Sequence, residues 1–159
     1  SVLGQVNRPG RYPLETGNPR VSELLATAGG IAATGADTVI LVGQREGRPF
    51  RREVDLAGLY LEGSGAQDVA VAGGDSLYVH RAPAYYIYGE VQQPGAYRVE
   101  RGMTVRQALA RGGGPTLRGT ENRLRIHRRG GDGRIVELAA EMDGPVLADD
   151  VLYVRESLF

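Results

Sequence analysis

Few residues in this chain stand at spacings that could do chemistry. The two histidines, His80 and His127, have no partner at metal-ligand spacing. There is no cysteine, so thiolate ligands, disulfides and a cysteine nucleophile are all excluded. Asp149-Asp150 precedes a strand-like run and reads as a turn rather than as an acid–base pair. Gly29-Gly30 and Gly112-Gly113-Gly114-Pro115 follow helical patterns. A phosphate cradle needs its glycines ahead of a helix, where the first N–H groups point outward. No nucleophile, base and oxyanion donor come together. The chain reads as no enzyme, with no cofactor and no metal.

Two clusters could instead bind. Arg123, Arg125 and His127 alternate with Leu124 and Ile126, which predicts a strand with one buried and one basic face, extended by Arg128 and Arg129. Such a face is either an ordinary solvated surface or a contact for an acidic polymer or a neighbouring subunit. In Tyr85-Tyr86-Ile87-Tyr88, the side chains of Tyr86 and Tyr88 share a face. Their rings either pack internally or stack on sugars and partner surfaces.

Composition narrows the partners. The formal net charge is +0, with 19 basic and 19 acidic residues, which gives no bulk attraction for nucleic acid. Every basic residue is Arg, the side chain suited to interfaces and carboxylate recognition. No apolar run approaches the roughly 20 residues that span a bilayer. No signal peptide precedes Ser1, which opens directly on a strand, as expected of a piece of a longer protein.

The elements that must carry these residues come twice. Val2-Leu3-Gly4-Gln5-Val6-Asn7-Arg8-Pro9-Gly10-Arg11-Tyr12 returns 85 positions later as Ile87-Tyr88-Gly89-Glu90-Val91-Gln92-Gln93-Pro94-Gly95-Ala96-Tyr97. The segment 21–30 returns as 105–114, 38–42 as 122–126, Val54-Asp55-Leu56 as Val136-Glu137-Leu138, and 75–79 as 150–154. The second copy is shorter, mainly opposite residues 57–74. Repeats are sought first because they decide the fold. Each copy reads as a strand, a Pro-Gly turn of type II, a second short strand (11–14 or 97–99), a helix, a hairpin and a last strand. Val21, Leu24, Leu25 and Ala28 form one apolar helix face. Thr104 and Gln107 suit a capping box, and Asn18-Pro19 suits a cap followed by proline. Glycines 29–30 and 112–114 end the helices in the left-handed conformation. One helix across a curled mixed sheet predicts an α+β, β-grasp (ubiquitin-like) fold, with domains at 1–81 and 82–159. Gly4, Pro9, Gly10, Gly89, Pro94 and Gly95 form its structural turn motif. The link Arg81-Ala82-Pro83-Ala84 is too short for a flexible tether.

The motif Val/Ile-x-Gly-x-Val-x-x-Pro-Gly-x-Tyr, followed by a Val-x-x-Leu-Leu helix ending in Ala-Gly-Gly, resembles the soluble-ligand-binding β-grasp (SLBB) domain. Two in tandem, closing on Asp-x-Leu-Tyr-Val and Arg155-Glu156-Ser157-Leu158-Phe159, resemble the periplasmic part of outer-membrane polysaccharide export proteins. The resemblance implies a periplasmic, outer-membrane-associated conduit of Gram-negative cells, ring-forming in the full-length protein, that passes capsular polysaccharide or exopolysaccharide and docks on an inner-membrane copolymerase. The sequence stops at Phe159 without the amphipathic helix that some members carry; either that helix was never there or it was trimmed, and a member lacking it would need a separate outer-membrane barrel. Arg123, Arg125, His127, Tyr86, Tyr88 and the Pro-Gly loops are then candidate saccharide or subunit contacts. The alternative is a stand-alone module for a soluble saccharide or other small ligand. DNA uptake, known for some related domains, is disfavoured by the neutral charge.

Overall fold

The repeat survives in space as two separately cored units. The computed structural model describes residues 1–14, 17–63 and 68–158; Phe159 of the terminal motif and residues 64–67 of the longer segment in copy one lie outside the described residues. The chain divides into Ser1–Ala82 and Pro83–Phe159. The first unit runs β1 (Val2–Gly4), α1 (Val21–Thr27), β2 (Thr38–Arg45), β3 (Arg48–Asp55), α2 (Leu56–Leu61) and β4 (Ser76–Val79). The second runs β5 (Ala84–Gly89), β6 (Gly95–Arg98), α3 (Val105–Arg111), β7 (Arg125–Arg129), β8 (Ile135–Ala139) and β9 (Val151–Val154), with a 3-10 turn at Glu121–Arg123. The sheet orders are β1-β4-β2-β3 and β6-β5-β9-β7-β8. In each, the first strand lies parallel to the last and every other pairing is antiparallel. This is the α+β, β-grasp-like arrangement read from the sequence.

Strand alternation and helix periodicity converge on each core. Val21, Leu24, Leu25 and Ala28 pack with Val2, Val39, Leu41, Leu77 and Val79; Val105, Ala108 and Leu109 pack with Tyr85, Ile87, Ile126, Leu152 and Val154. Burying one such large side chain contributes on the order of 2 kcal/mol. Tyr85 is wholly buried, and its hydroxyl donates to the Ala108 carbonyl at 3.0 Å. Burial pushes that hydroxyl up to about 12.

The repeated motif explains itself in contacts. A Cβ at Gly4 or Gly89 would stand 2.2 Å from the carbonyl oxygen of Val79 or Val154, and both glycines have positive φ (85° and 90°). Only glycine lets the first strand press against the last. The next N–H groups, of Gln5 and Glu90, donate to those same carbonyls at 2.8 and 2.9 Å. Val6 and Val91 are buried. The Tyr12 hydroxyl donates to the Arg8 carbonyl, and that of Tyr97 to the Gln93 carbonyl at 2.6 Å, closing each Pro-Gly loop.

Several local expectations give way. Gly10 and Gly95 have φ of 157° and 147°, far from the value near +80° that a type II turn requires. Residues 11–14 form no strand; only a Val2–Gly10 bridge remains. Pro13, whose ring holds φ at about −65° and away from the extended strand value, stands where Arg98 lies opposite Ala84 in the second unit. Asn18-Pro19 does not cap α1, whose N-cap is Arg20. Pro19 instead accepts from the Val71 N–H at 2.7 Å, and Arg20 bridges Ala70. Gly29, Gly30, Gly113 and Gly114 take positive φ, whereas Gly112 does not.

The repeat alignment also shifts. Leu41 faces Leu77 as Ile126 faces Leu152, so Leu41 matches Ile126 rather than Arg125. Val54 faces Val39, while the Ala140 N–H donates to the Leu124 carbonyl, so Val54 matches Ala140 rather than Val136. The extra length of copy one falls after this hairpin, where α2 forms with Asp55 as its cap.

Candidate functional site

The sheet of the second unit has one face on its core and one face open. On the open face the ladders set two rows of side chains. Tyr88, Tyr153, Arg125 and Ala139 stand side by side across β5, β9, β7 and β8; beside them run Tyr86, Val151, His127 and Glu137. Tyr88 and Tyr153 are 47% and 42% exposed, enough for each ring to offer a surface to a ligand. The His127 and Tyr153 rings stack at 6.4 Å with an angle of 19° between planes. Glu137 accepts from Arg155 Nη2 at 2.6 Å and lies 3.9 Å from Arg125 Nε.

Of the residues singled out in the sequence, Tyr86, Tyr88, Arg125 and His127 share this face, each set by the two-residue period of its strand. Arg123 does not. It ends the 3-10 turn, where the Thr120 hydroxyl accepts from the Asn122 N–H, and its Nη1 donates to the Glu156 carbonyl at 3.1 Å. The predicted strand therefore starts two residues late. Arg129 donates to the Gly133 carbonyl and braces the hairpin. Tyr153, Glu137 and Arg155 belong to the face and escaped sequence reasoning. The alternation inside Val151-Leu152-Tyr153-Val154 was the signal for Tyr153; nothing local marks the other two.

Arg128 leaves the opposite side of β7 and reaches Asp150, which is 0% exposed. Its Nε and Nη2 donate to the two carboxylate oxygens at 3.0 and 2.8 Å, and the Leu147 N–H adds a third bond at 2.8 Å. The first unit repeats the device. Arg45 holds Asp75 through two bonds of 2.9 and 2.8 Å, and the Ala72 N–H donates at 2.8 Å. The arginines come from different places, because the strand registers equate Gly43 with Arg128 and Arg45 with Gly130. A Cβ at Gly43 would stand 1.9 Å from Asp75 Oδ1. These pairs lock the turn before each last strand and lie away from the open face.

Chemically, the open face offers aromatic planes beside charge-assisted donors and acceptors, a surface for hydroxyl-rich or acidic polymers. Among the described residues, no group of three or more His, Asp or Glu could hold a metal. Among the same described residues, no helix is long and apolar enough to cross a membrane. The equivalent face of the first unit is more apolar, with Leu3, Tyr78 and Ile40 in one row and Val42 beside them. Residues 1–79 and residues 84–138 each match a family model described as an SLBB domain. No curated protein matches the chain.

Proposed function

From the premise that this chain belongs to the SLBB-domain family, with the tandem pair that is the signature of outer-membrane polysaccharide export proteins, we propose that it is the periplasmic, conduit-forming part of such a protein. SLBB domains are binding modules known from polysaccharide export. The observation that carries the reading is the tandem itself, spanning most of the chain.

Within the full-length protein the chain forms part of a ring, guides capsular polysaccharide or exopolysaccharide outward, and neither cleaves nor joins sugars. Its partner is an inner-membrane copolymerase. The face around Tyr88, Tyr153, Arg125 and Glu137 suits this work, since stacking on single rings and exposed ionic contacts are each weak. A polymer held by many weak contacts can slide. Deleting the gene in its native host should strip polysaccharide from the cell surface and leave it in the periplasm, with the full-length gene restoring export. Unchanged surface polysaccharide, in a genome with no second copy, would remove this reading.

One feature favours a second reading, a module for a small soluble ligand. Between α1 and α2 lies a cleft of about 380 Å³ lined by Leu25, Ala26, Ile31, Leu56, Ala57 and Tyr60, among others. Saturable binding of a mono- or disaccharide to the purified chain, lost in Tyr60→Ala, would support it; linear, non-saturating titrations would not.

A further inference from the structure

The outer strand of the second sheet differs from its counterpart in the first. All five residues of β8 are exposed, and four of them, Ile135, Val136, Leu138 and Ala139, are apolar. Natural edge strands are normally blunted with charge, proline or bulges. The corresponding edge in the first unit obeys that rule: β3 carries Arg48, Pro49, Arg51, Arg52 and Glu53.

The hydrogen bonding of β8 is equally open. The Gly130 N–H donates to the Arg134 carbonyl and the Ala140 N–H to the Leu124 carbonyl, so the even-numbered residues of β8 turn their backbone groups to β7. The N–H and C=O groups of Ile135, Glu137 and Ala139 point outward. At the far edge of the same sheet the Val99 N–H donates to the Pro83 carbonyl, so Ala96 and Arg98 of β6 point outward in the same way. Among the described residues, the first unit has no strand at that position.

We propose that β8 of one copy pairs antiparallel with β6 of the next copy, continuing the five-stranded sheet from chain to chain. The strand directions allow it: β6 opposes β5, β5 parallels β9, and β7 reverses β9 and β8 reverses β7, so β8 and β6 run in opposite senses. A neighbour in the same orientation thus presents β6 antiparallel to β8. One register satisfies charge and hydropathy together. Glu137 faces Arg98 of the next copy and Ala139 faces its Ala96 on the open side. On the helix side Leu138 faces Tyr97 and Val136 faces Val99. Opposite charges and apolar pairs set across a ladder are the stabilising combinations. Pairing β8 with itself in the register that matches Val136 to Leu138 would set Glu137 against Glu137. Because the two surfaces are different, the contact is head to tail, the kind that generates rings.

The inference deepens the oligomeric part of the proposed function and rests on it. Its test uses no polysaccharide, so a chain that pairs but exports nothing is told apart from one that exports without pairing. The chain has no cysteine of its own. Ala96 and Ala139 lie at opposite edges of one sheet, roughly 19 Å apart at about 4.8 Å per strand step, too far for a disulfide within one chain. Oxidising the Ala96→Cys/Ala139→Cys chain should give a reducible ladder extending past the dimer, while either single variant stops at a dimer or below. Adding the exposed-edge substitution Val136→Lys should collapse the ladder with circular dichroism unchanged. A double variant that cross-links no further than the single ones overturns the proposal. So does Ala139→Cys alone dimerising as fully as the pair, which would mark symmetric β8–β8 pairing.

Discussion

A carboxylate out of water is costly unless its oxygens are answered by good donors. Asp75 and Asp150 are answered alike, by a forked arginine and one turn N–H. Burial alone would raise Asp75; the Arg45 bonds, the Ala72 N–H and the nearby positive charge outweigh it, and the carboxyl sits below its ordinary range. Folded Asp75 therefore takes up a proton less readily than unfolded Asp75. Its stabilisation is complete above the unfolded value of about 3.9 and drains as pH falls toward the lower folded one. In urea titrations between pH 6 and 2, wild type should exceed Asp75→Asn most at the upper end and converge on it at the lower. A gap that stays constant with pH contradicts this. In the second unit, Arg128→Gly leaves Asp150 without its ion pair and should cost on the order of 3 kcal/mol. Adding Gly130→Arg moves the arginine to the place that Arg45 occupies in the first unit. It should recover at least half of that loss in denaturant midpoint; no recovery would show that the two arginine positions are not interchangeable.

Helices α1 and α3 are the same element started in different ways. Thr104 accepts from the Gln107 N–H at 3.2 Å, and Gln107 Oε1 accepts from the Thr104 N–H at 3.0 Å. α1 has no side-chain cap of its own. Asp68 supplies one from a distant loop, accepting from the Ser22 N–H at 3.1 Å and the Ser22 hydroxyl at 2.6 Å. Asp68→Ala should thus lower stability by about 1 kcal/mol, comparable to Thr104→Ala, with loss of helical circular dichroism reporting both. This contrast also marks what the sequence could disclose. The Thr104–Gln107 box, the Val21-Leu24-Leu25 face and the duplicated Gly-x-Val-x-x-Pro-Gly-x-Tyr run are local patterns, and they were legible. Asp68 acts on Ser22 across 46 positions, and no local signal announces that. The alignment of the two copies shifts by one residue here because Thr38-Val39-Ile40 and Asn122-Arg123-Leu124 share no composition to align them. Only the ladder partners Leu77 and Leu152 fix it. For the open face, strand alternation found Tyr86, Tyr88, Arg125 and His127. Glu137 and Arg155 join it only through pairing that folding creates.

At the scale of the whole molecule, each half owns a complete core, sheet and main helix. Residues 1–82 and 83–159 expressed separately should each melt cooperatively, with near-native circular dichroism; an unfolded half would show that stability is shared across the link. The exchange of glycine and arginine between positions 43/45 and 128/130 has a further consequence, for inheritance. Duplicated coding segments tend to overwrite one another by recombination. An overwriting tract that ends between these two codons creates either Arg-x-Arg, which crowds one carboxylate, or Gly-x-Gly, which strands it dry. Either product should be less stable than both parents, the one through crowding and the other through an unpaired buried charge. Such a hairpin would hinder the two copies from being made alike across it.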